Sequence, residues 1–208
     1  MKHKKLLFSF ILAIFGMLGF IACNSSEKGG KNNPNPIAPV AVGDKWGYID
    51  KSGKFIINPQ FDDACDFSES GLAGVQLGDK WGYIDKTGKF IINPQFDYAY
   101  PFSENGLAVV LFGGKWGYID TTGKYIINPQ FDFACDFSQN GLAEVQLGDK
   151  WGYIDKTGKF IINPQFDYAY PFSENGLARV ILGDKYGYID KSGKFIINPQ
   201  FVDIKEFD

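Results

Sequence analysis

The chain has 208 residues, 45% of them hydrophobic and 17% aromatic, with a formal net charge of −3 at pH 7. That apolar content can fill a core and excludes a largely disordered chain, while 25 glycines point to turn-rich β structure. The acidic balance argues against nucleic acid as a partner, because such binding rests on Lys and Arg neutralising phosphates.

In chain order, a basic stretch, Met1–Lys5, precedes an apolar run, Leu6–Ile21. The run is too short for a comfortable membrane span and reads as the core of an export signal. It closes with Phe20-Ile21-Ala22-Cys23, which resembles the lipobox of bacterial lipoproteins. The resemblance implies cleavage after Ala22, diacylation of Cys23 and acylation of the new N-terminus. Several acyl chains anchor stably, since each buried CH₂ adds about 0.8 kcal/mol. Losing residues 1–22 removes Lys2, Lys4 and Lys5 and no acid, which leaves a net charge of −6. Asn24–Pro36, NSSEKGGKNNPNP, is too polar to pack and predicts, with Cys23, a lipidated, flexible tether over residues 23–36. Asn24 replaces the Asp that some bacteria read as an inner-membrane retention signal. That favours a lipid-anchored place in the cell envelope at the outer membrane or cell surface.

From there one motif recurs. KWGYIDKTGKFIINPQF begins at Lys80, and near-verbatim copies begin at Lys45, Lys115, Lys150 and Lys185, a fixed period of 35. Such a period marks a repeat array, each copy one supersecondary unit unable to bury its apolar face alone. Strand one of a unit is an apolar run, Leu72–Leu77 in the second copy and Ile37–Val42 in the first. The units are therefore 37–71, 72–106, 107–141, 142–176 and 177–208. Gly78-Asp79 predicts a tight turn. Strand two is Lys80–Asp85. Asp85-Lys86-Thr87-Gly88 predicts a second turn, in which Asp bonds forward to the backbone and Gly takes positive φ. Strand three is Lys89–Asn93, ended by Pro94, which has no N–H for a ladder. The remainder, Gln95–Gly106, reads as a compact connector with Phe96, Ala99 and Phe102 turned inward.

Each unit is thus expected to be a three-stranded antiparallel meander. Side chains alternate, so Trp81 and Tyr83 share one face, Gly82 and Ile84 the other. Strand one of the third unit, LAVVLF, is apolar on both faces; both faces are therefore covered, and the neighbouring unit is the natural cover. Gly82 leaves a gap into which an aromatic ring could lie. The expected fold is all-β, five tandem meanders stacked as an open, curved array. A closed five-bladed propeller is the alternative, disfavoured because propeller blades usually have four strands and about 40–45 residues.

The string KWGYIDKTGKFIINPQFDYAYPFSENGLA resembles the WG-repeat family of bacterial, often exported proteins, over essentially the whole of residues 37–208. The resemblance implies an all-β repeat fold and an interaction or surface role, with no catalytic residues. The fifth unit departs from it, with Tyr186 for Trp and a charged ending, Phe201–Asp208, that reads as a terminal cap.

Little in the sequence suggests chemistry. The single histidine, His3, leaves with the signal, and with it the commonest general base and metal ligand. No nucleophile, zinc or phosphate-binding motif appears. Asp50, Asp85, Asp120, Asp155 and Asp190 sit in D-x-[ST]-G, but a calcium loop needs several oxygen-bearing side chains in alternation, and here Lys follows in four of five copies. They read as turn formers, paired across the hairpin with Lys54, Lys89, Lys124, Lys159 and Lys194. No enzyme, cofactor or metal is expected. Cys65 and Cys135 share one connector position two units apart and read as small buried thiols, too distant to bridge. Trp46, Trp81, Trp116, Trp151 and Tyr186 form a core row. Tyr98, Tyr100, Tyr168 and Tyr170, on connectors beside polar residues, are the candidate ligand-contacting aromatics. The expected function is a membrane-anchored, non-catalytic protein or peptide interaction module. The alternatives are a carbohydrate or cell-wall binder and a passive structural surface lipoprotein.

Overall fold

The computed structural model describes residues 36–205. The signal, Cys23 and all but the last residue of the tether lie outside the described residues. The chain divides into two compact units between Glu104 and Asn105. The described residues hold no helix and nineteen strands.

In the first unit, β1 (Ala38–Val42), β2 (Lys45–Ile49) and β3 (Phe55–Phe61) form one antiparallel sheet. Then β4 (Asp63–Ala64), β5 (Ala73–Leu77), β6 (Lys80–Ile84) and β7 (Phe90–Phe96) form the next, in the order β4-β5-β6-β7. The short β8 (Tyr98–Ala99) follows. The second unit opens with β9 (Leu107–Phe112), β10 (Lys115–Asp120) and β11 (Tyr125–Phe131). It continues with β12 (Phe133–Ala134), β13 (Ala143–Leu147), β14 (Lys150–Ile154) and β15 (Phe160–Phe166), and closes with β16 (Tyr168–Phe172), β17 (Ala178–Leu182), β18 (Lys185–Ile189) and β19 (Phe195–Phe201). Each of these two runs is a sheet in chain order, and no sheet closes on itself.

The all-β repeat fold is as the sequence predicts, with one strand more than the meander. The connector's two or more residues at β4, β12 and β16 pair with strand one of the following copy, as in Asp63↔Gln76 and Ala64↔Val75. A sheet therefore takes its first strand from the preceding sequence repeat. The inward residues of the connector are those expected: Phe96, Ala99 and Phe102 are buried.

Strand three differs from expectation. It does not end at Pro94 but runs on to Phe96. Trp81 faces Phe96 and Tyr83 faces Ile92, so Asn93-Pro94-Gln95 bulges out of register. A bulge leaves residues unpaired, which is where a proline loses nothing. The same shift recurs in the other four sheets. Gly82 supplies the room. A Cβ there would stand 2.6 Å from both the Ile92 carbonyl oxygen and the Pro94 nitrogen. The expected gap for an aromatic ring is instead filled by the bulged backbone of the neighbouring strand, and Gly47, Gly117, Gly152 and Gly187 are equally crowded.

The D-x-[ST]-G turns form as predicted. Asp85 Oδ1 accepts from the Thr87 amide (2.8 Å), the Thr87 hydroxyl (2.6 Å) and the Lys89 amide (3.1 Å), and Gly88 has φ +86°. Within each compact unit, successive sheets cover one another. Phe61 meets Phe90 edge-on at 6.1 Å, and Phe166 meets Phe195 at 6.2 Å. The turn glycines Gly88, Gly158 and Gly193 rest on Ile57, Ile127 and Ile162 of the preceding sheet. Both sheet faces are buried in the interior copies: Trp81, Gly82, Tyr83 and Ile84 are all inaccessible. At the end of the array the cover is lost, and Phe201 is exposed where Phe166 is buried.

Candidate functional site

The repeated residues sort into those that build the array and those that face outward. The principal builder is the tyrosine of WGY. Tyr48, Tyr83, Tyr118, Tyr153 and Tyr188 are buried. Each donates its hydroxyl to a connector carbonyl 17 residues on, of Cys65, Tyr100, Cys135, Tyr170 and Lys205, at 2.6–2.9 Å. The first four also pack on Phe67, Phe102, Phe137 and Phe172, with ring centroids 4.7–4.9 Å apart. A buried phenol needs such a partner, and here it pins the connector to the sheet. Sequence reasoning missed this role; the available signal was the invariant 17-residue spacing to the connector.

Ion pairing also differs from expectation. The turn aspartates spend their carboxylates on backbone and hydroxyl donors. The ion pairs join each KWG lysine to the aspartate of NPQFD: Lys45–Asp62, Lys80–Asp97, Lys115–Asp132 and Lys150–Asp167. The second oxygen of Asp62, Asp132 and Asp167 accepts the amide of Gly78, Gly148 and Gly183 at 2.7 Å, across to the next hairpin turn. Lysine bonding holds these carboxyls below the usual range; the turn aspartates are lowered chiefly by their Ser or Thr hydroxyl.

The candidate tyrosines lie half-buried rather than on the outer surface. Tyr98 packs on Trp81 (5.8 Å) and Tyr100 (5.1 Å), and its hydroxyl is shut off from solvent. Tyr168 packs on Trp151 (5.0 Å) and Tyr170 (4.9 Å). They thus extend the tryptophan row into a ladder. In the second unit it runs Trp116–Phe133–Trp151–Tyr168–Tyr170, and Arg179 then lies 3.8 Å over the Tyr170 ring and 5.5 Å from Tyr186. Trp81, Trp116 and Trp151 are buried, as expected of a core row, while Trp46 and Tyr186 at the array ends are half-exposed.

Cys135 is free, so the two connector cysteines do not bridge each other, but Cys65 is disulfide-bonded and not the thiol expected. Cys23 lies outside the described residues. Among the described residues no three His, Cys, Asp or Glu side chains form a metal-holding group.

The outward strip is the bulged strand itself. β3, β7, β15 and β19 each end the order of their sheet. Along β7, Ile91, Asn93 and Gln95 are exposed, alternating with inward Ile92 and Phe96, and the same three letters are exposed in every copy. The strip is apolar and amide in character, without a charge. A shallow groove of about 630 Å³ lies on the connectors of the second unit, lined by Ser138, Gln139, Asn140, Phe172, Ser173 and Glu174.

The pattern of the WG containing repeat matches residues 46–81, 81–116, 116–151, 151–186 and 186–208. The chain is a member of the WG-repeat family. No curated protein matches it. Among solved structures, a eukaryotic initiation factor is similar at a TM-score of 0.59 with 8% identity, over 84% of this chain and 54% of that one, so this chain spans about half its length. That likeness is one of fold alone. A protein of unknown function from Bacteroides caccae aligns over 79% of this chain and 72% of that one, at 16% identity and a TM-score of 0.36. The extracellular domain of a putative one-component system from B. thetaiotaomicron aligns over 71% and 25%, at 14% and 0.42.

Proposed function

We propose that the protein is a membrane-anchored, exported, non-catalytic interaction module that holds an extended peptide segment of a protein partner on the outer edges of its sheets. The observation that supports this reading is the strip Ile-Asn-Gln repeated on the terminal strand of each sheet. An edge strand offers unpaired N–H and C=O groups to an added strand, and alternate side chains give selectivity. Isoleucine supplies apolar contact and the amides supply neutral donors and acceptors. The test is selection from a random peptide library, followed by calorimetry on Ile91→Lys/Ile161→Lys. Saturable binding lost in the double variant supports the reading; selected peptides that bind both proteins equally sink it.

The same uncharged amides suit neutral glycans, which is the second reading. Glycan-array signal that disappears in Tyr98→Ala/Tyr168→Ala would favour it over peptide binding.

The anchor is lipid on Cys23, placing the protein in the bacterial cell envelope. Palmitate labelling that is present in the wild type and absent in Cys23→Ser supports this; equal labelling, or none in either, removes it.

A further inference from the structure

The middle of strand one carries Pro39, Gly74, Val109, Glu144 and Arg179 in the five repeats. This is the least repetitive place in the array, and Glu144 is its anomaly. Among the described residues it is the charged residue that is buried, at 1% exposure, and its carboxylate oxygens accept no well-formed hydrogen bond, the Cys135 thiol and its own backbone being the donors beside it. Its surroundings offer no countercharge. Tyr153 stands opposite it in register on β14. Tyr118 from β10 and Tyr168 from β16 face it, neutral phenols all. Cys135, a weak donor, stands beside it, with the exposed Asp136 next in the chain. Arg179 acts on Tyr168 but gives Nη1 to the Ile204 carbonyl at 2.7 Å. The Glu144 backbone carbonyl also accepts the Cys135 amide at 3.0 Å, at the edge where β12 meets β13.

An isolated carboxylate in such a place is costly, whereas the protonated acid is a neutral filler. We propose that Glu144 is a proton-controlled latch on the fourth repeat: protonated, it lets the β12–β13 edge stay closed over Cys135; ionised, it opens that edge and presents the thiol. Burial pushes the Glu144 carboxyl up to about 7, which supports a transition near neutrality. The unfolded value is near 4.3. Stability from the protonated form is therefore complete below that value and is lost as pH rises toward 7, the reverse of the aspartates.

The test uses the full chain and Glu144→Gln, which is neutral at every pH. Urea midpoints are measured at pH 5.5 and 8.5. Alkylation of Cys135 by iodoacetamide is followed at both values, with the site resolved by mass spectrometry. The wild-type midpoint is expected to fall further by pH 8.5 than that of Glu144→Gln, whose remaining slope comes from Asp136, its carboxyl pushed up to about 6 by desolvation. The ratio of wild-type to variant alkylation rates should rise about tenfold between the two pH values, against the charge of ionised Glu144, which by itself raises the Cys135 thiol and would lower the ratio. A level wild-type midpoint, the same slope in both proteins, or a constant rate ratio overturns the proposal. Should Glu144→Gln fail to fold, Glu144→Gly, the residue that Gly74 supplies in repeat two, takes its place with the same expectations.

Discussion

Repeats two and four are nearly one sequence. Gln76–Ala108 and Gln146–Ala178 are identical, and the sheets they form share strand lengths, bulge and turns. They part at a few upstream positions. Asp63 bonds the Ala64 amide where Phe133 puts a ring midway between Trp116 and Trp151, 5.6 Å from each. A Cβ added to Gly74 would lie 3.7 Å from the sulfur of Cys65, where Glu144 brings a buried carboxyl to Cys135. The lesson is a division of labour. Identical residues fix the scaffold, and the odd ones decide which copy carries a continuous aromatic ladder and which carries a titrating group.

The largest effect should ignore that difference. Gly82→Ala and Gly152→Ala each drive a Cβ against the backbone of the bulge and should cost about 3 kcal/mol or more, equally in both copies, by urea unfolding. Unequal losses would show that the two sheets are not equivalent scaffolds.

Next comes the ladder itself. Phe133→Asp should cost about 2–3 kcal/mol, since two tryptophans lose a packed ring. Asp63→Phe, on the strand that repeat one lends to the sheet of repeat two, should gain about 1 kcal/mol by adding one. A loss there would mean that the Asp63 bond to Ala64 matters more than ring packing.

Tyr83→Phe and Tyr153→Phe should each cost about 1–2 kcal/mol, because the Tyr100 or Tyr170 carbonyl loses its donor. Amide exchange should then speed up in the connector of the altered copy and not in the other.

The smallest effect lies on the acid side. The turn aspartates have folded-state values below their unfolded ones, so their stability is present above about pH 4 and is lost as pH falls further. Asp85→Asn or Asp155→Asn should flatten that acid limb alike in both repeats. A limb unchanged by either substitution would assign acid sensitivity to other carboxyls.

What the sequence made legible follows from how local the cause is. The D-x-[ST]-G turn needs only its own five residues, so its bonds were readable letter by letter. Successive sheets covering one another within each compact unit were readable because a verbatim period of short apolar strands leaves few other ways to bury both of their faces. Pro94 was misread as a strand end because the bulge that tolerates it depends on Gly82, on a different strand. The fourth strand, two residues long in β4, was too short for any periodicity. Tyr83 looked like one face of an alternating strand, since its partner is 17 residues away. Glu144 carried a signal: one acid where the other copies have Pro, Gly, Val and Arg. What that acid meets is set by Tyr118, Cys135 and Tyr168, which come from other strands and connectors.

The offset between sequence repeat and sheet has a consequence for how such a chain changes length. Since the connector of one copy supplies a strand to the next, the boundaries of the sheets fall inside the repeated text rather than at its joints. Removing or inserting 35 residues at any point of the array restores the same neighbours on either side of the cut, and no strand is orphaned. Misalignment of near-identical gene segments during copying would therefore lengthen or shorten the protein by whole repeats while every product keeps a foldable register, and the two identical blocks at a spacing of 70 are what such an event would leave behind.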